Sequence, residues 1–544
     1  MAVSKSTYFT KKIKNTFNKW TLATVSIILV LCFPLLAILL SLLTGAGSTW
    51  DHIQEYLLLE YISNSIHLII GTGILSSLIG VSSAWCVATY NFKFRSYIKW
   101  LLYLPLAIPS YIMAYAYVGF FEFEGTFDNI TLNTTSGLDI MNIWGLIFIL
   151  SISLYPYVYG SSWIMFTSLG KKLWESTILS GITQNKYFFS IALPLTLPAI
   201  FGGLFLVFME VLNDYGAAKY FGINTFTTGI FRTWTALEDI NSSIFLAAIL
   251  VVVIVIIQII NSFIRGRKSY SINDISSNSQ NARKNIKGIN QLLVITICLL
   301  PVVIGFVIPL LQLLKWSMLH ISSQLDLFFI YLSLNSILLA FFTSLLIIIV
   351  AILLVFLPRW SKNTYMKFLT NFSTVGYSIP GAVIGITLIA ASGYFVNYFD
   401  YIFNLKIGKY IFSGLSLLIF AYLFRFISVA YNPLEANALR INPSIPESSY
   451  LLGKSKFYTL FKVEIPLLKS SIISSFLILF IDLMKELPLT LILKPYNIQT
   501  LAIKAFEYAD DERITEAALP SVILILIITT IILFLSKYSK VKAY

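Results

Sequence analysis

The sequence predicts an all-α polytopic membrane protein of twelve transmembrane helices, built as two parallel six-helix repeats. Three observations predict it. The 544 residues are 57% hydrophobic and 12% charged, with a mean hydropathy of +0.82, and that charged fraction is about half that of a soluble domain. Twelve runs reach the roughly 20 apolar residues that cross a bilayer. Matching residues then recur along the chain at one nearly constant offset, as a duplicated unit requires.

In chain order the runs centre near Leu31, Leu75, Met113, Ile149, Phe205, Val252, Leu299, Ile347, Val383, Leu418, Leu477 and Ile525. The first, from Thr21 to Leu43, follows Lys5, Lys11, Lys12, Lys14 and Lys19 and resembles the basic start of a signal peptide. It lacks a small-x-small cleavage site and is expected to be a retained span. Cys32, Cys86 and Cys298 fall inside spans without metal-type spacing and are expected to be small buried hydrophobes. After the sixth run, "RGRKSYSINDISSNSQNARKNIK" from Arg265 is polar and aperiodic, a cytoplasmic linker. The expected organisation is a first half at 1–264, a linker at 265–290 and a second half at 291–544.

The net charge of +13 is a topology signal and no sign of a nucleic-acid partner. With the first residues inside and sides alternating, Lys and Arg gather on the cytoplasmic side, which puts both termini there. The external segments carry acids instead, Glu122, Glu124 and Asp128 in one, Asp510, Asp511 and Glu512 in another.

Six spans per half return the chain to the same side, so the halves are parallel repeats related by an axis along the membrane normal. Asn64 and Ser65 pair with Asn335 and Ser336, and Ile108 and Pro109 with Ile379 and Pro380. After one inserted residue Glu175, Gly181, Pro194 and Thr228 pair with Glu447, Gly453, Pro466 and Thr500. Between the fourth and fifth spans of each half lies a polar copy of one segment: "ESTILSGITQNKYFFSIALP" from Glu175 and "ESSYLLGKSKFYTLFKVEIP" from Glu447. Its Gly can end one short helix in a left-handed turn and start another, and its Pro suits the start of the next span. Tyr187, Phe188 and Phe189 in one copy, Phe457, Tyr458, Leu460 and Phe461 in the other, offer an aromatic knob for a groove on a partner. A single copy also reads as a helix resting on lipid; two copies imply a two-fold cytoplasmic partner.

This spacing resembles the EAA loop of permease subunits of ATP-binding-cassette importers, whose coupling helix docks into a cleft on the ATPase. The loops here span 171–198 and 434–470 and read Glu175-Ser176-Thr177 and Glu447-Ser448-Ser449 in place of Glu-Ala-Ala. Nearly the whole chain is similar to the fused two-half permeases of ferric-iron importers, through "LPLAIPSYIMAYAYVGF" from Leu104, "MEVLNDYGAAKYFGINTFTTGIFRTW" from Met209, "GYSIPGAVIGITL" from Gly376, "MKELPLTLILKPYNIQTLA" from Met484 and "DDERITEAALP" from Asp510. Permeases for thiamine and other small solutes share parts of these segments. The resemblance implies the type I importer permease fold, a bacterial inner membrane, two copies of a cytoplasmic ATPase and an extracytoplasmic solute-binding protein. ATP would be used by the partner subunits, and this chain would bind no cofactor.

Inside the membrane, Glu210 and Asp214 lie one helical turn apart in the fifth span and match Asp482 and Glu486 in the eleventh. At 1.5 Å per residue from Pro198, Glu210 is roughly 18 Å deep. Acids at that depth face a cavity or a partner. One reading is a cation pathway with oxygen ligands, suited to Fe(III). The other is that Lys485 and Arg425 neutralise the acids and fasten helices. Pro488 can break its span beside Glu486, and Gly216 holds the matching place. No resident metal site is expected, because tight binding would slow release. Gly381 and Gly385 suit helix packing.

No ATPase is expected within the chain. "GKS" at Gly453 has Ser448 where a phosphate loop needs Gly, and it follows no strand. His52, His67 and His320 are scattered, and no Ser-His-Asp arrangement presents itself, so the chain is expected to be no enzyme. An ion-driven carrier is the rival class, but it has no need of a repeated docking loop.

Overall fold

The computed structural model describes residues 18–43, 45–122, 126, 139–169, 183–266, 283–361, 363–403 and 414–540. Among these, nine helices are long and apolar enough to cross a membrane, or eleven if each of two bent helix pairs is one span. The expected twelfth, the first in sequence, is a shorter apolar helix, Lys19–Leu31, followed by Phe33–Leu43. Pro34 accounts for that division, since its ring clashes with the carbonyl four residues back and it brings no N–H.

The bent pairs are Arg95–Ala107 with Ser110–Phe121, turned by 88°, and Phe368–Ser378 with Gly381–Gly393, turned by 107°. Both bends fall on an Ile-Pro step of the repeat. Ile108 and Ile379 are extended there, at φ −101° and −95°, because proline disfavours helical geometry in the residue before it.

Compactness divides the chain into two units that do not follow the repeat boundaries. One comprises Met1–Gly47, Ile240–Phe245 and Leu327–Thr500; the other Ser48–Asp239, Leu246–Asp326 and Leu501–Tyr544. In the first unit the Leu327–Ser361, Leu415–Ala438 and Ile465–Lys485 helices pack together, and the Lys19–Leu31 helix lies on Leu327–Ser361. In the second, Leu58–Thr89, Ile143–Ser168 and Leu193–Asn213 pack together. Ile289–Val302 lies on Leu58–Thr89, and Ile308–Gln324 lies on the Ile514–Lys540 helix. Each unit therefore includes the opening span of the other repeat. Cys86 and Cys298 are buried in the second unit's apolar core. A parallel pairing of Tyr90–Asn91 with Lys284–Asn285 follows the linker, whose residues 267–282 lie outside the described ones.

Three helices widen by one π-helical turn just before an X-Pro step: Phe188–Ala192 before Pro194, Val303–Val307 before Pro309 and Leu460–Glu464 before Pro466. In each, the residue preceding proline bonds five residues back, as Ile465 N–H does to the Leu460 carbonyl. The widened turn lets a helix pass proline unbroken. The short helix expected before the fifth and the eleventh span is therefore continuous with that span.

Candidate functional site

The second polar segment forms two short helices, Ser444–Leu451 and Lys456–Thr459, joined at Gly453. Gly453 has φ +76°. Its N–H reaches the Tyr450 carbonyl at 2.9 Å, and Lys454 N–H reaches the Ser449 carbonyl at 3.2 Å. These two bonds make a Schellman cap, in which the left-handed residue turns the chain out of the helix and satisfies its last carbonyls. Ser455 then caps the next helix through its side chain, accepting from Tyr458 N–H. A hydrogen bond of 2.8 Å between Ser449 Oγ and Thr459 Oγ1 ties the two helices side by side.

The outer face of this turn is apolar. Leu451 is 88% exposed and Leu452 77%, with Phe457, Tyr458 and Phe461 exposed beside them. Phe457 also stands edge-on to Trp20 and Trp360, at 5.6 and 5.4 Å. Glu447 is exposed on the first short helix, and Pro466 follows the π-helical turn of the helix that runs on as the eleventh span.

In the first segment Glu175 and Gly181 lie outside the described residues. The Gln184–Tyr187 helix leads into the π-helical turn and on past Pro194. Tyr187, grouped by sequence with the exposed knob, is buried against Trp85, and Phe188 packs on Trp85 at 4.8 Å. Phe189 is the exposed ring, 67% accessible. Leu451 and Leu452 on the second segment were not singled out by sequence, because their exposure depends on the direction in which the Gly453 cap turns the chain.

The intramembrane charges collect where the fifth and eleventh spans break. The Leu193–Asn213 helix ends at Asp214, and a short helix restarts at Gly216; Ile465–Lys485 ends at Glu486, and a short helix restarts at Pro488. Each acid holds the start of the short helix beyond it. Asp214 Oδ1 accepts from Ala217 and Ala218 N–H at 3.0 and 3.1 Å, and its Oδ2 accepts from the Ser110 hydroxyl. Glu486 Oε1 accepts from Leu489 N–H at 3.2 Å and from Arg425 Nη1 at 2.9 Å. The two repeats thus solve one problem, the orphan N–H groups of a restarted helix, with an acid each, and only the second adds a base. One turn earlier, Asp482 pairs with Lys485 at 3.0 Å. Glu210, at the matching place, is partly exposed.

Asp214→Ala is expected to lower stability by about 2 kcal/mol through the loss of these charge-assisted bonds, while Asp214→Asn keeps the Oδ1 acceptor and loses less. Unfolding in detergent checks the order, and equal losses would contradict the capping role. Among the described residues, no group of three or more His, Cys, Asp or Glu is placed to hold a metal ion.

The chain matches the family described as binding-protein-dependent transport system inner membrane component twice, over residues 76–270 and 355–540. It belongs to that family. The permease is therefore a multi-pass inner-membrane transport subunit and not an enzyme, and it works with a separate ATPase and a solute-binding protein. It is 23% identical to the Fe(3+)-transport system permease protein FbpB 2 of Haemophilus influenzae, over 95% of this chain and 97% of that protein. The molybdenum transport system permease protein ModB of the same organism is 27% identical, over 30% of this chain and 71% of its own length. The sulfate transport system permease protein CysT of Salmonella typhimurium is 22% identical, over 36% and 71% respectively. The permease thus carries the duplicated arrangement along its whole length, as a two-half permease does.

Proposed function

We propose that this permease carries ferric iron, delivered by a solute-binding protein at the external acidic segments and driven inward by two copies of an ATPase, one on each coupling segment. Similarity along nearly the full length of a ferric permease supports the substrate. Both termini are cytoplasmic in this reading. Closure of the ATPases on ATP moves the coupling segments, and the broken fifth and eleventh spans change the access of the path between the two sides.

The path runs past Glu210, Asp214, Asp482 and Glu486, with Lys485 and Arg425 partly offsetting their charge. Asp214 and Glu486 are held in fixed caps and set the field. Glu210, partly exposed a turn before Asp214, is the acid proposed to meet the ion, while Asp482 at the matching place is paired with Lys485. Carboxylate oxygens suit a hard trivalent cation.

The test is ATP-dependent uptake of radiolabelled Fe(III) by cells expressing the permease with its ATPase and binding protein, with molybdate, sulfate, thiamine and spermidine as competitors. Glu210→Gln is expected to cut iron uptake at least tenfold with the protein still inserted. Uptake of another solute with iron ignored would return the proposal to a permease of different cargo, and normal iron uptake by the variant would remove Glu210 from the path.

A further inference from the structure

Behind the second coupling segment lies a cavity of about 460 Å³, within the range of about 300–1,000 Å³ typical of ligand pockets. Its rim includes the exposed residues Leu439, Pro443, Glu447 and Tyr450; its floor includes the buried residues Phe356, Trp360, Ala438 and Glu464. Glu464 is 6% exposed, and its Oε2 has no hydrogen-bond partner. A buried carboxylate oxygen without a donor is costly. Arg359, in the lining, acts on Glu464 through its charge, but neither base of the lining donates a hydrogen bond to Glu464 Oε2. Arg359 Nη1 donates to the Ala438 carbonyl at 3.2 Å, and Lys456 Nζ donates to the Trp360 carbonyl at 3.2 Å.

Among the described residues, the first repeat differs at three of the matching positions. Trp85 stands there for Phe356, Phe166 for Ala438 and Ala192 for Glu464. Trp85 packs edge-on to Phe166 at 5.3 Å, and Ala192 is fully buried. The second repeat has thus exchanged aromatic bulk for space and apolar surface for a carboxylate. This space accepts a guest with an apolar stem and a cationic, donating tip.

Resting on the reading of the chain as a permease driven by a separate ATPase, we propose that this cavity receives a lysine or arginine side chain of the ATPase docked on the second coupling segment, with Glu464 accepting from its N–H groups. Such side chains lay an apolar stem along aromatic walls and carry charge at the end. The rim residues Glu447 and Tyr450 lie on the same short helix as the exposed Leu451, so an ATPase docked on that helix borders the opening. The contact is one-sided by construction: it distinguishes the second docking position from the first.

The experiment titrates the cognate ATPase against the full-length permease in lipid nanodiscs. Glu464→Gln preserves shape and is expected to weaken binding about tenfold. Ala438→Phe fills the chamber with the ring that the first repeat carries, leaves every charge in place and is expected to weaken binding at least as much. Glu464→Lys is expected to abolish the contact and to be rescued by reversing the charge of one basic residue on the ATPase. That rescue keeps the test decisive should Ala438→Phe fail to fold. Unchanged affinity in the variants would overturn the proposal. So would a loss in Glu464→Gln alone, which would place the acid in the fold and not in a docking contact. Thermal stabilisation of the wild type by free spermidine, absent in Glu464→Gln and without any change in ATPase affinity, would assign the cavity to a small amine and overturn it as well. Failure of the wild-type permease to bind any ATPase would instead overturn the ATP-driven reading itself, and this proposal with it.

Discussion

Arg425→Met is expected to destabilise the second repeat by about 3–5 kcal/mol, the cost of leaving a buried charge without its partner. Arg425 and Glu486 side chains are 5% and 6% exposed, so water does not replace what is lost. Gly381 shows how closely the pair is packed: a Cβ there would lie 2.1 Å from Arg425 Nη1 and 2.9 Å from Glu486 Oε1. The double variant Arg425→Met with Glu486→Gln is expected to recover much of the loss, since the uncompensated charge goes with its partner while Gln keeps an acceptor for Leu489 N–H. Chemical unfolding in detergent across this cycle measures the coupling. Simple additivity would show that the two charges are held independently.

Gly453→Val is expected to reduce substrate uptake at least tenfold while the protein still inserts and the ATPase still turns over. A non-glycine residue in the left-handed region costs about 1–2 kcal/mol, and a β-branched one is a sharper outlier. No atom lies within 4 Å of a Cβ at this position, so the penalty is one of backbone conformation and not of collision. Relieving it rotates the Lys456–Thr459 helix away from Ser444–Leu451 and breaks the cap between them. Gly453→Asn, which tolerates the left-handed region, is expected to keep most of the uptake. Wild-type uptake by the valine variant would sink the proposed coupling role of this turn.

Helix content, the duplication and the positions of the spans were legible because the apolar runs are long and the matched residues, such as Pro109 with Pro380, keep one register. The span count was less so. Pro34 and the Ile-Pro steps at 108–109 and 379–380 divide or bend helices that a composition window reads as single runs. Conversely, Pro194 and Pro466 looked like helix starts, yet a π-helical turn carries each helix past its proline, and nothing in the residue types announces that turn.

The charged residues were found readily, since an acid in an apolar run stands out. Their partners were only partly legible. Arg425 was associated with the acids as a group, but its pairing with Glu486 depends on two helices approaching in space. Gly381 read as a packing glycine between helices, and what packs against it is the ion pair. Tyr187 shows the limit from the other side: sequence gives an aromatic triplet, and only the helix phase decides that Tyr187 turns inward and Phe189 outward. Glu464 carries no sequence signal of its role, because it sits between Val463 and Ile465, where its burial cannot be read from a polar context.

The composition of the compact units bears on the order in which the protein is made. The Lys19–Leu31 helix packs on Leu327–Ser361, in a unit that runs on to Thr500, so this early span waits in the bilayer until the second repeat is being made. At about 5–20 residues per second, that interval lasts tens of seconds. During it the helix has no native neighbour from its own unit's main body, which leaves it open to lipid, to chaperoning insertion factors and to the wrong helices. The six-span first repeat expressed alone would therefore be an incomplete folding unit, whereas co-expression with the second repeat as a separate chain would supply what it lacks.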